Sequence, residues 1–472
     1  MIRRIFTHEW TRLLRSPRLL ALLGAVALVL VGTTWWSAST DAQQNTLQAS
    51  AADQARADWL GQGAANPHSM AHYGDFVFRP NGPLARLDGG VQATMGRVLR
   101  IEGHRRGIPL STATGTAGPL ARFGRFDPAF LLQEVVPLIL ILVGAGLVAD
   151  GRRGRQDWML AHGAPGRSLV LGRAAFLGSI AVGLLTLVVL TTLFAASEPL
   201  TGAEVPRFAG LIATYLVFLL VIVALIVVVS SLARSSTAAT FALIGVWIVG
   251  TTILPRATAT LASTLEPLPS RDAFETAMRD ARSAEIDGHN PEDQRLAEME
   301  AQLMEEYGVA TREELPVNFD GIAMQVDEEV GNGVWDEHFG QLEDRLQRQG
   351  DVARAVALLN PFQGVRAVSM TFAGTDLAHD LAFQDAAEEY RRVLVKALND
   401  EHAYGGSTTG DWSFKTDAAF FAGLEPFEYP VAPIGSAMRS RTVEIIGLLL
   451  WAALANIALV TAGRRLEMGG DA

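Results

Sequence analysis

The sequence predicts an all-α integral membrane protein with six transmembrane helices, and three observations lead to this fold class. The chain has 472 residues, of which 49% are hydrophobic and only 19% are charged. Its apolar residues are clustered in runs of about twenty, the length that a helix needs to cross a bilayer. Long polar segments follow the first and the fifth run. We therefore expect a helical extracytoplasmic domain between helices five and six, and a smaller insertion between helices one and two.

The apolar runs set the expected boundaries of the other parts. An interfacial helix is expected at 1–18, a first extracytoplasmic insertion at 37–127, a cytoplasmic coupling segment at 150–173, an extracytoplasmic helical domain at 259–440 and a cytoplasmic tail at 463–472. The transmembrane helices are predicted at 19–36, 129–149, 174–196, 208–232, 238–254 and 442–462.

The N-terminal stretch, MIRRIFTHEWTRLLRSPR, has the composition of a helix that lies in the membrane surface. Apolar side chains such as Phe6, Trp10 and Leu13 can face the acyl chains, while the arginines face lipid headgroups. Membrane lipid is therefore one expected partner of this segment.

Arginine placement predicts the orientation in the membrane. Arginines precede the first run, fill the connection between the second and third runs, and follow the sixth. The positive-inside rule places these segments in the cytoplasm, so six spans put both termini there, in a multi-pass protein of the bacterial inner membrane. Residues 259–440 contain 34 Asp and Glu against 14 Lys and Arg, which is typical of a solvated exterior.

Three amphipathic helices are predicted within the second insertion. Asn290 is the expected N-cap of the first helix and Gly308 its end, and the second helix follows from about residue 317. The third begins at Thr375 or Asp376, and its apolar stripe consists of Leu377, Leu381, Tyr390, Leu394 and Leu398. In the first insertion only the short helix ADQARADWL is predicted, with a mixed or loop-rich remainder.

Catalytic and nucleotide-binding signatures are missing from the sequence. It contains no G-x-x-x-x-G-K-[ST], no H-E-x-x-H and no G-x-S-x-G. His68 and His72 are four residues apart, a spacing that on a helix would let both bind one metal ion. Pro67 and Gly74 instead favour a loop there, so no metal, cofactor or catalytic residue is predicted, and no nucleic-acid partner is expected.

The segment GRRGRQDWMLAHGAPGRSLVLGR, residues 151–173, combines five arginines with apolar side chains. A loop that only fixes topology would need the arginines alone, whereas the apolar side chains must be buried against something. We expect a short amphipathic helix that docks on a cytoplasmic partner. The candidate docking residues are Arg155, Asp157, Trp158, Met159, Leu160 and Arg167.

The pattern EW..LLRSPR near the N-terminus, the six helices and the P.R.LVLGR ending of the cytoplasmic connection together resemble ABC transporter permeases of the type-2 exporter fold. Residues 359–399 resemble a poorly characterised subfamily with a GTD..H...F...AE.YR signature between helices five and six. In this sequence the residues of that signature are Gly374, Thr375, Asp376, His379, Phe383, Ala387, Glu388, Tyr390 and Arg391.

This resemblance implies a permease subunit whose N-terminal helix is an elbow and whose coupling segment docks on a separate ABC ATPase subunit. It also implies a second permease subunit, in a homodimer or a heterodimer. A periplasmic or outer-membrane partner is a further candidate, because both insertions are large.

A second interpretation belongs to another class of protein and stays open. In it the chain is a membrane-anchored receptor or scaffold, whose outer helical domain binds a partner without transport. The coupling segment favours the permease, and a membrane enzyme is disfavoured by the missing catalytic set. The start of the third helix of the outer domain also has two interpretations. It is either a helix start that only caps itself, or part of a functional surface. The residues of that surface are Asp376, His379, Tyr390 and Arg391.

Overall fold

The structure, a computed structural model, describes residues 1–109, 126–149, 160, 162–195, 200–233, 235–290, 292–429 and 433–468. Within these residues the protein is helical almost throughout, with one two-stranded antiparallel sheet. The prediction of an all-α fold therefore needs one correction, the small sheet in the first insertion. The two strands are β1 (Asp75–Phe78) and β2 (Val98–Ile101), paired with Asp75 opposite Ile101.

Fifteen helices are numbered here in chain order, counting a helix with an internal π-helical turn as one. Those of the first half are α1 (Ile2–Leu14), α2 (Pro17–Leu60), α3 (Pro67–Tyr73), α4 (Pro128–Phe130, Leu131–Val135 and Val136–Ala149), α5 (Gly166–Ala195), α6 (Glu204–Leu232) and α7 (Ser236–Ile248, Val249–Ile253 and Leu254–Leu265). Those of the second half are α8 (Arg271–Ser283), α9 (Gln294–Tyr307), α10 (Phe319–Ala357), α11 (Pro361–Ala373), α12 (Leu377–Tyr404), α13 (Ala418–Gly423), α14 (Ile434–Ser440) and α15 (Thr442–Met468).

Local sequence explains where many of these helices begin. Asn, Asp or Ser side chains accept a hydrogen bond from the first free backbone N–H groups, which stabilises a helix start. The residues that do so are Asn66, Asp127, Ser235, Ser270, Asp293, Asn318, Asn360, Asp376 and Asp417. Four helices also have proline in their first turn, where its missing N–H costs nothing.

Six helices are long and apolar enough to cross a membrane, as predicted: α2, α4, α5, α6, α7 and α15. The apolar window of α4 is 72% buried inside the bundle, whereas that of α7 is only 17% buried. Helices α4, α5 and α6 therefore form the centre of the bundle. Helices α2, α7 and α15 expose most of their apolar surface, as expected of helices that face lipid or another membrane subunit.

Three helix boundaries in the structure differ from those predicted from the sequence. Helix α2 runs without a break from the first span to Leu60, so the first insertion starts as an extension of that span rather than with a separate short helix. Helix α7 continues to Leu265, beyond the predicted end of the fifth span. Helix α9 is capped by Asp293 and not by Asn290, while Gly308 ends it as predicted, in a left-handed conformation with φ 67°.

The two insertions form one body, called the head here and comprising the described residues of 37–109 and 266–429. A shared core joins them, because Trp59 of α2 and Leu99 of β2 pack with Phe383, Leu398 and Phe421. Helix α11 connects this head to the bundle. It is too short to span a membrane, yet its apolar face belongs to the core of the bundle, through Phe362, Val365, Val368 and Phe372.

Helix α1 and the end of α15 both lie at the end of the bundle that is remote from the head. At that end Trp10 of α1 donates its Nε1–H to Ser179 Oγ of α5, 3.2 Å away. The start of α5 also meets the end of α15, where the Arg167 backbone N–H donates to Glu467 Oε1 at 3.2 Å. The opposite end contacts the head, since Arg207 near the start of α6 donates to the carbonyl oxygen of Thr371.

Candidate functional site

The predicted docking segment is described only in part. Arg155, Asp157, Trp158 and Met159 lie outside the described residues, whereas Leu160 and Arg167 lie within them. Leu160 is half-buried against the core of the bundle. The Arg167 side chain is about half exposed beside Glu467 at the end of α15. The structure thus brings the last two predicted residues to the same end of the bundle as α1 and the end of α15.

The connection that follows Leu160 is held tightly between neighbouring helices. Leu169 is completely buried. A Cβ atom on Gly166 would lie 2.4 Å from the carbonyl oxygen of Gly463 in α15, so only glycine allows this approach. A Cβ on Gly172 would lie 2.7 Å from Cβ of Ile5 in α1. The start of α5 is therefore clamped by α1 on one side and by α15 on the other.

A buried ion pair strengthens the contact between α1 and α5. Both Glu9 and Arg173 are buried, and Arg173 Nε lies 3.5 Å from Glu9 Oε1. Arg12 lies on the solvent side of the same carboxylate, 3.2 Å from Oε2. Because a buried charge is costly without its partner, α1 is expected to move with α5 rather than independently.

Asp376 caps α12, as predicted, and it also does more than cap. Its Oδ1 accepts from the backbone N–H of His379 at 3.1 Å and contacts His379 Nδ1 at 2.6 Å. Its Oδ2 accepts from Thr371 Oγ1 at 2.5 Å and from Arg441 at 3.0 Å. Burial alone would raise the pKa of Asp376, but the hydrogen bond and charge of His379, together with Arg441 and Thr371, hold it well below its usual range.

This carboxylate is the centre of a polar network between head and bundle, called the junction here. Arg207 of α6 donates to the carbonyl oxygens at the end of α11, and Arg441 pairs with Glu444 of α15 at 3.1 Å. The junction consists of Arg207, Thr371, Asp376, His379, Arg441 and Glu444. It ties two membrane helices to the helix start of the head, so a movement of either span changes contacts in the head.

The other two predicted residues lie away from the junction. Arg391 is fully buried, with its guanidinium 2.7 Å from Glu328 Oε2 and 2.8 Å from Glu388 Oε2. Tyr390 is half-buried and donates its hydroxyl to the Glu425 carbonyl oxygen at 3.1 Å. Since about four turns of α12 separate them from its start, these residues do not form one surface with Asp376 and His379.

Next to the junction, Asp88 is a second buried carboxyl group. Ser369 Oγ of α11 donates to Asp88 Oδ2 at 2.5 Å and lies 2.8 Å from the hydroxyl of Tyr215 in α6. Burial, reinforced by the negative charge of Asp127, raises the pKa of Asp88 to about 7. The group is therefore protonated in the folded protein over a range where an exposed aspartate is ionised.

This shift predicts a pH dependence of stability. Between the ordinary value of 3.8 and about 7, folded Asp88 keeps a proton that the unfolded chain releases. Stability should therefore fall as pH rises through that window and level off above it. Asp88→Asn cannot ionise, and its amide can donate to Ser369. We expect its melting temperature in detergent to change less between about pH 5 and pH 8 than that of the wild type.

The matched control is Asp53→Asn, which removes an exposed carboxyl from the same insertion. It should keep the pH profile of the wild type. An Asp88→Asn profile that overlays the wild-type profile would show that Asp88 is ionised in the folded protein throughout this range.

Four histidines meet on the head, and they are called the histidine cluster here. His68 and His72 lie on α3, which is a helix and not the predicted loop, because Asn66 caps it and accepts from Ser69 N at 3.0 Å. His104 follows β2, and His289 lies between α8 and α9. One ring nitrogen from each of the four lies within 4.8 Å of the others. Sequence spacing could suggest only the first pair.

Three imidazoles of the cluster, those of His68, His72 and His289, have lowered pKa values and are held in their neutral form. Burial, and next the charge of neighbouring His72, lowers the pKa of His68 to about 3. Burial is also the main reason why the pKa values of His72 and His289 are lowered. Neutral imidazole is the form that binds metal ions, so the lowered pKa values of these three side chains favour metal binding.

Comparison with known proteins gives one match. Residues 272–430 match a family described as a domain of unknown function (DUF3526). The match covers most of the second insertion, including the start of α12 and His289, but less than half of the chain and none of the six spans. No curated protein and no solved structure gives a significant match.

Proposed function

We propose that this chain is the permease subunit of an ABC transporter, and that it moves a substrate across the bacterial inner membrane using ATP hydrolysed by a separate subunit. The six apolar helices supply the membrane part that such a subunit needs. The resemblance of the N-terminal helix, of the connection between spans two and three and of residues 359–399 supports the assignment.

The proposal depends most on how the connection between spans two and three is held. Its described end is clamped between α1 and α15, and the buried pair of Glu9 and Arg173 joins α1 to α5. A partner that docks on this connection would therefore act on three helices together. A loop that served only to link two spans would not need this packing.

The orientation follows from charge. The arginines of α1, Arg167 and Arg173 of the connection, and Arg464 and Arg465 of α15 belong to the end of the bundle remote from the head, whose second insertion is strongly acidic. By the positive-inside rule the arginine-rich end is cytoplasmic, with both termini, and the head is periplasmic. An ATPase in the cytoplasm would then meet the predicted docking residues directly.

A second permease subunit has a suitable surface to occupy. Helices α6, α7 and α15 enclose an open groove of about 570 Å³ with an almost wholly apolar lining. Gly245 of α7 and Ala458 of α15 contribute to this lining, and small residues of this kind let membrane helices approach closely. The groove therefore favours a homodimer or heterodimer of permeases, with the exposed face of α7 at the contact.

Docking on the ATPase is tested by Trp158→Asp combined with Met159→Asp, expressed together with an ATPase encoded beside this chain. A carboxylate buried without a partner costs several kcal/mol, so the double variant should lose co-purification of the ATPase. The variant should still insert and keep the melting temperature of the wild type, because the proposal assigns both side chains to the contact with the partner.

The matched control is Leu47→Asp with Tyr404→Asp, which places two carboxylates at exposed apolar positions of the head. It should retain the ATPase at the wild-type yield. Undiminished recovery of the ATPase with the Trp158 and Met159 double variant would refute the docking role. It would then favour a membrane-anchored receptor or scaffold.

A further inference from the structure

We propose that the head binds one divalent transition-metal ion of the zinc type through four imidazoles, those of His68, His72, His104 and His289. This inference does not rest on the transport proposal. It rests on the spacing of the ring nitrogens, on a buried nitrogen of His104 without a partner, on the groups behind His104 and on the backbone that places it.

The spacing is close to that of a tetrahedral site. Zinc binds histidine nitrogen at about 2.0–2.1 Å, which places neighbouring ligand atoms about 3.3 Å apart. The Nε2 atoms of His68 and His72 are 3.0 Å apart, and all four histidines offer a nitrogen within 4.8 Å of the rest. Side-chain rotations are therefore enough to bring the four nitrogens around one ion.

Two ring nitrogens of the cluster are buried without a hydrogen-bond partner among the described residues, Nδ1 of His68 and Nε2 of His104. Buried polar atoms are almost always satisfied, so such a pair needs an explanation. A bound metal ion would satisfy His104 Nε2 directly. His68 would bind the ion through Nε2, the atom 3.0 Å from His72 Nε2, so the ion does not account for its Nδ1.

Carboxylates behind the cluster orient its ligands. Asp327 Oδ2 lies 3.0 Å from His104 Nδ1, which leaves Nε2 of that ring to point into the cluster. Oδ1 of the same carboxylate accepts from the backbone N–H of Gly288 at 2.9 Å, next to His289. A carboxylate that fixes a ligating histidine from behind is the usual outer-shell arrangement of histidine metal sites. Asp327 therefore positions two of the four ligands.

The backbone at His104 supports the same conclusion. His104 has φ 63° and is the one non-glycine residue with positive φ in the part of the chain that the structure describes. This conformation is uncommon outside glycine, and such exceptions concentrate at functional sites. It is held in place here, because the backbone N–H of His104 donates to Glu328, a buried carboxylate of α10.

The donor set selects the type of ion. Four imidazole nitrogens suit zinc, copper or nickel, whereas magnesium and calcium need oxygen ligands. Four protein ligands leave no open position on a tetrahedral ion, which is typical of a structural site. The ion would join α3 and the turn after β2 to the segment between α8 and α9, and so connect the two insertions. His72 and His289 are exposed, and they give the ion access from solvent.

The test uses the full-length chain in detergent, purified with a tag that contains no histidine and stripped of metal with a chelator. Zinc added to the wild type should bind at one ion per chain, measured by mass spectrometry of the metal after gel filtration, and should raise the melting temperature. Magnesium at the same concentration should do neither. Failure of the wild type to retain stoichiometric zinc would overturn the proposal.

The variant His72→Ala with His289→Ala removes two ligands that are exposed, so the fold should survive. Since loss of an outer-shell group alone weakens binding by about 10–100-fold, loss of two ligands should weaken it at least about 100-fold. The matched control, His162→Ala with His338→Ala, removes two histidines outside the cluster and should bind zinc like the wild type. Equal affinity of the first variant and the control would contradict the site.

The visible absorption of bound cobalt(II) tests the site in the wild-type protein, without any variant. Bound to the wild type, it should show the intense visible absorption of a tetrahedral ion with nitrogen ligands. The weak spectrum of the hydrated ion in the presence of the protein would mean that the four histidines pack together without holding a metal ion, and would overturn the proposal.

Discussion

Arg391→Met should destabilise the head by about 3–5 kcal/mol, which is the cost of removing one partner from a buried ion pair. Arg391 is fully buried, and its guanidinium contacts Glu328 and Glu388, both of which are buried as well. Methionine fills a similar volume, so the cost comes from Glu328 and Glu388, which lose this buried cation, although Glu388 keeps its contact with Arg392. In a body of this size we expect the melting temperature to fall by roughly 10 °C.

Arg392→Met is the matched control for this prediction. Arg392 is the next residue of α12 and also contacts Glu388, but its side chain is 30% exposed and its second partner, Asp336, is exposed as well. Exposed pairs contribute about 0–1 kcal/mol, so this variant should melt close to the wild type. Tryptophan fluorescence during heating in detergent measures both. Equal melting temperatures for the two variants would show that the buried pair is not needed.

Asp376→Asn should cost about 1.5–3 kcal/mol, the usual contribution of hydrogen bonds to a charged group. If Asp376 only capped α12, asparagine would replace it almost without loss, because asparagine is as good a cap. The structure adds Arg441 and His379 on the same buried carboxylate. Asparagine keeps the bond from the His379 backbone N–H but loses the charge that these two side chains face. Asp376→Ala should cost more, because it also removes the cap.

Asp417 serves as the control for Asp376, because it is also an aspartate that caps a helix but it lies in an exposed position. Asp417 is exposed and caps α13 by accepting from the backbone N–H of Phe420 at 3.0 Å. Asp417→Asn should be silent, and Asp417→Ala should cost about 1 kcal/mol. If Asp376→Asn proves as silent as Asp417→Asn, the junction contributes nothing beyond a helix cap, and the proposed coupling between spans and head loses its support.

The spans and the helix ends could be predicted from the sequence because their causes are local. An apolar run of sufficient length forms a membrane helix whatever its neighbours, since a backbone in lipid must satisfy its own hydrogen bonds. Asp376 as a cap and Gly308 as an end follow in the same way from the residue and its nearest neighbours. Asn290 was the wrong cap, because Asp293 offers the same chemistry three residues later.

The buried face of α12 shows what local reasoning misses. The predicted leucine stripe starts with Leu377 and Leu381, which are only half-buried, whereas Asp380 and Arg391 on the same helix are buried. A hydrophobicity pattern places charged residues outside, because a single buried charge is costly. Partners from distant segments remove this cost, as when Arg79 of the first insertion pairs with Asp380.

The sequence by itself determined the class of the protein, its six membrane helices and most helix ends, because each follows from the length of a run or from a few adjacent residues. Only the tertiary structure decided that α11 inserts among the spans, that the two insertions share one core, and that His68 and His72 are joined by His104 and His289. These features depend on contacts between residues far apart in the chain, for which spacing along the sequence carries no signal.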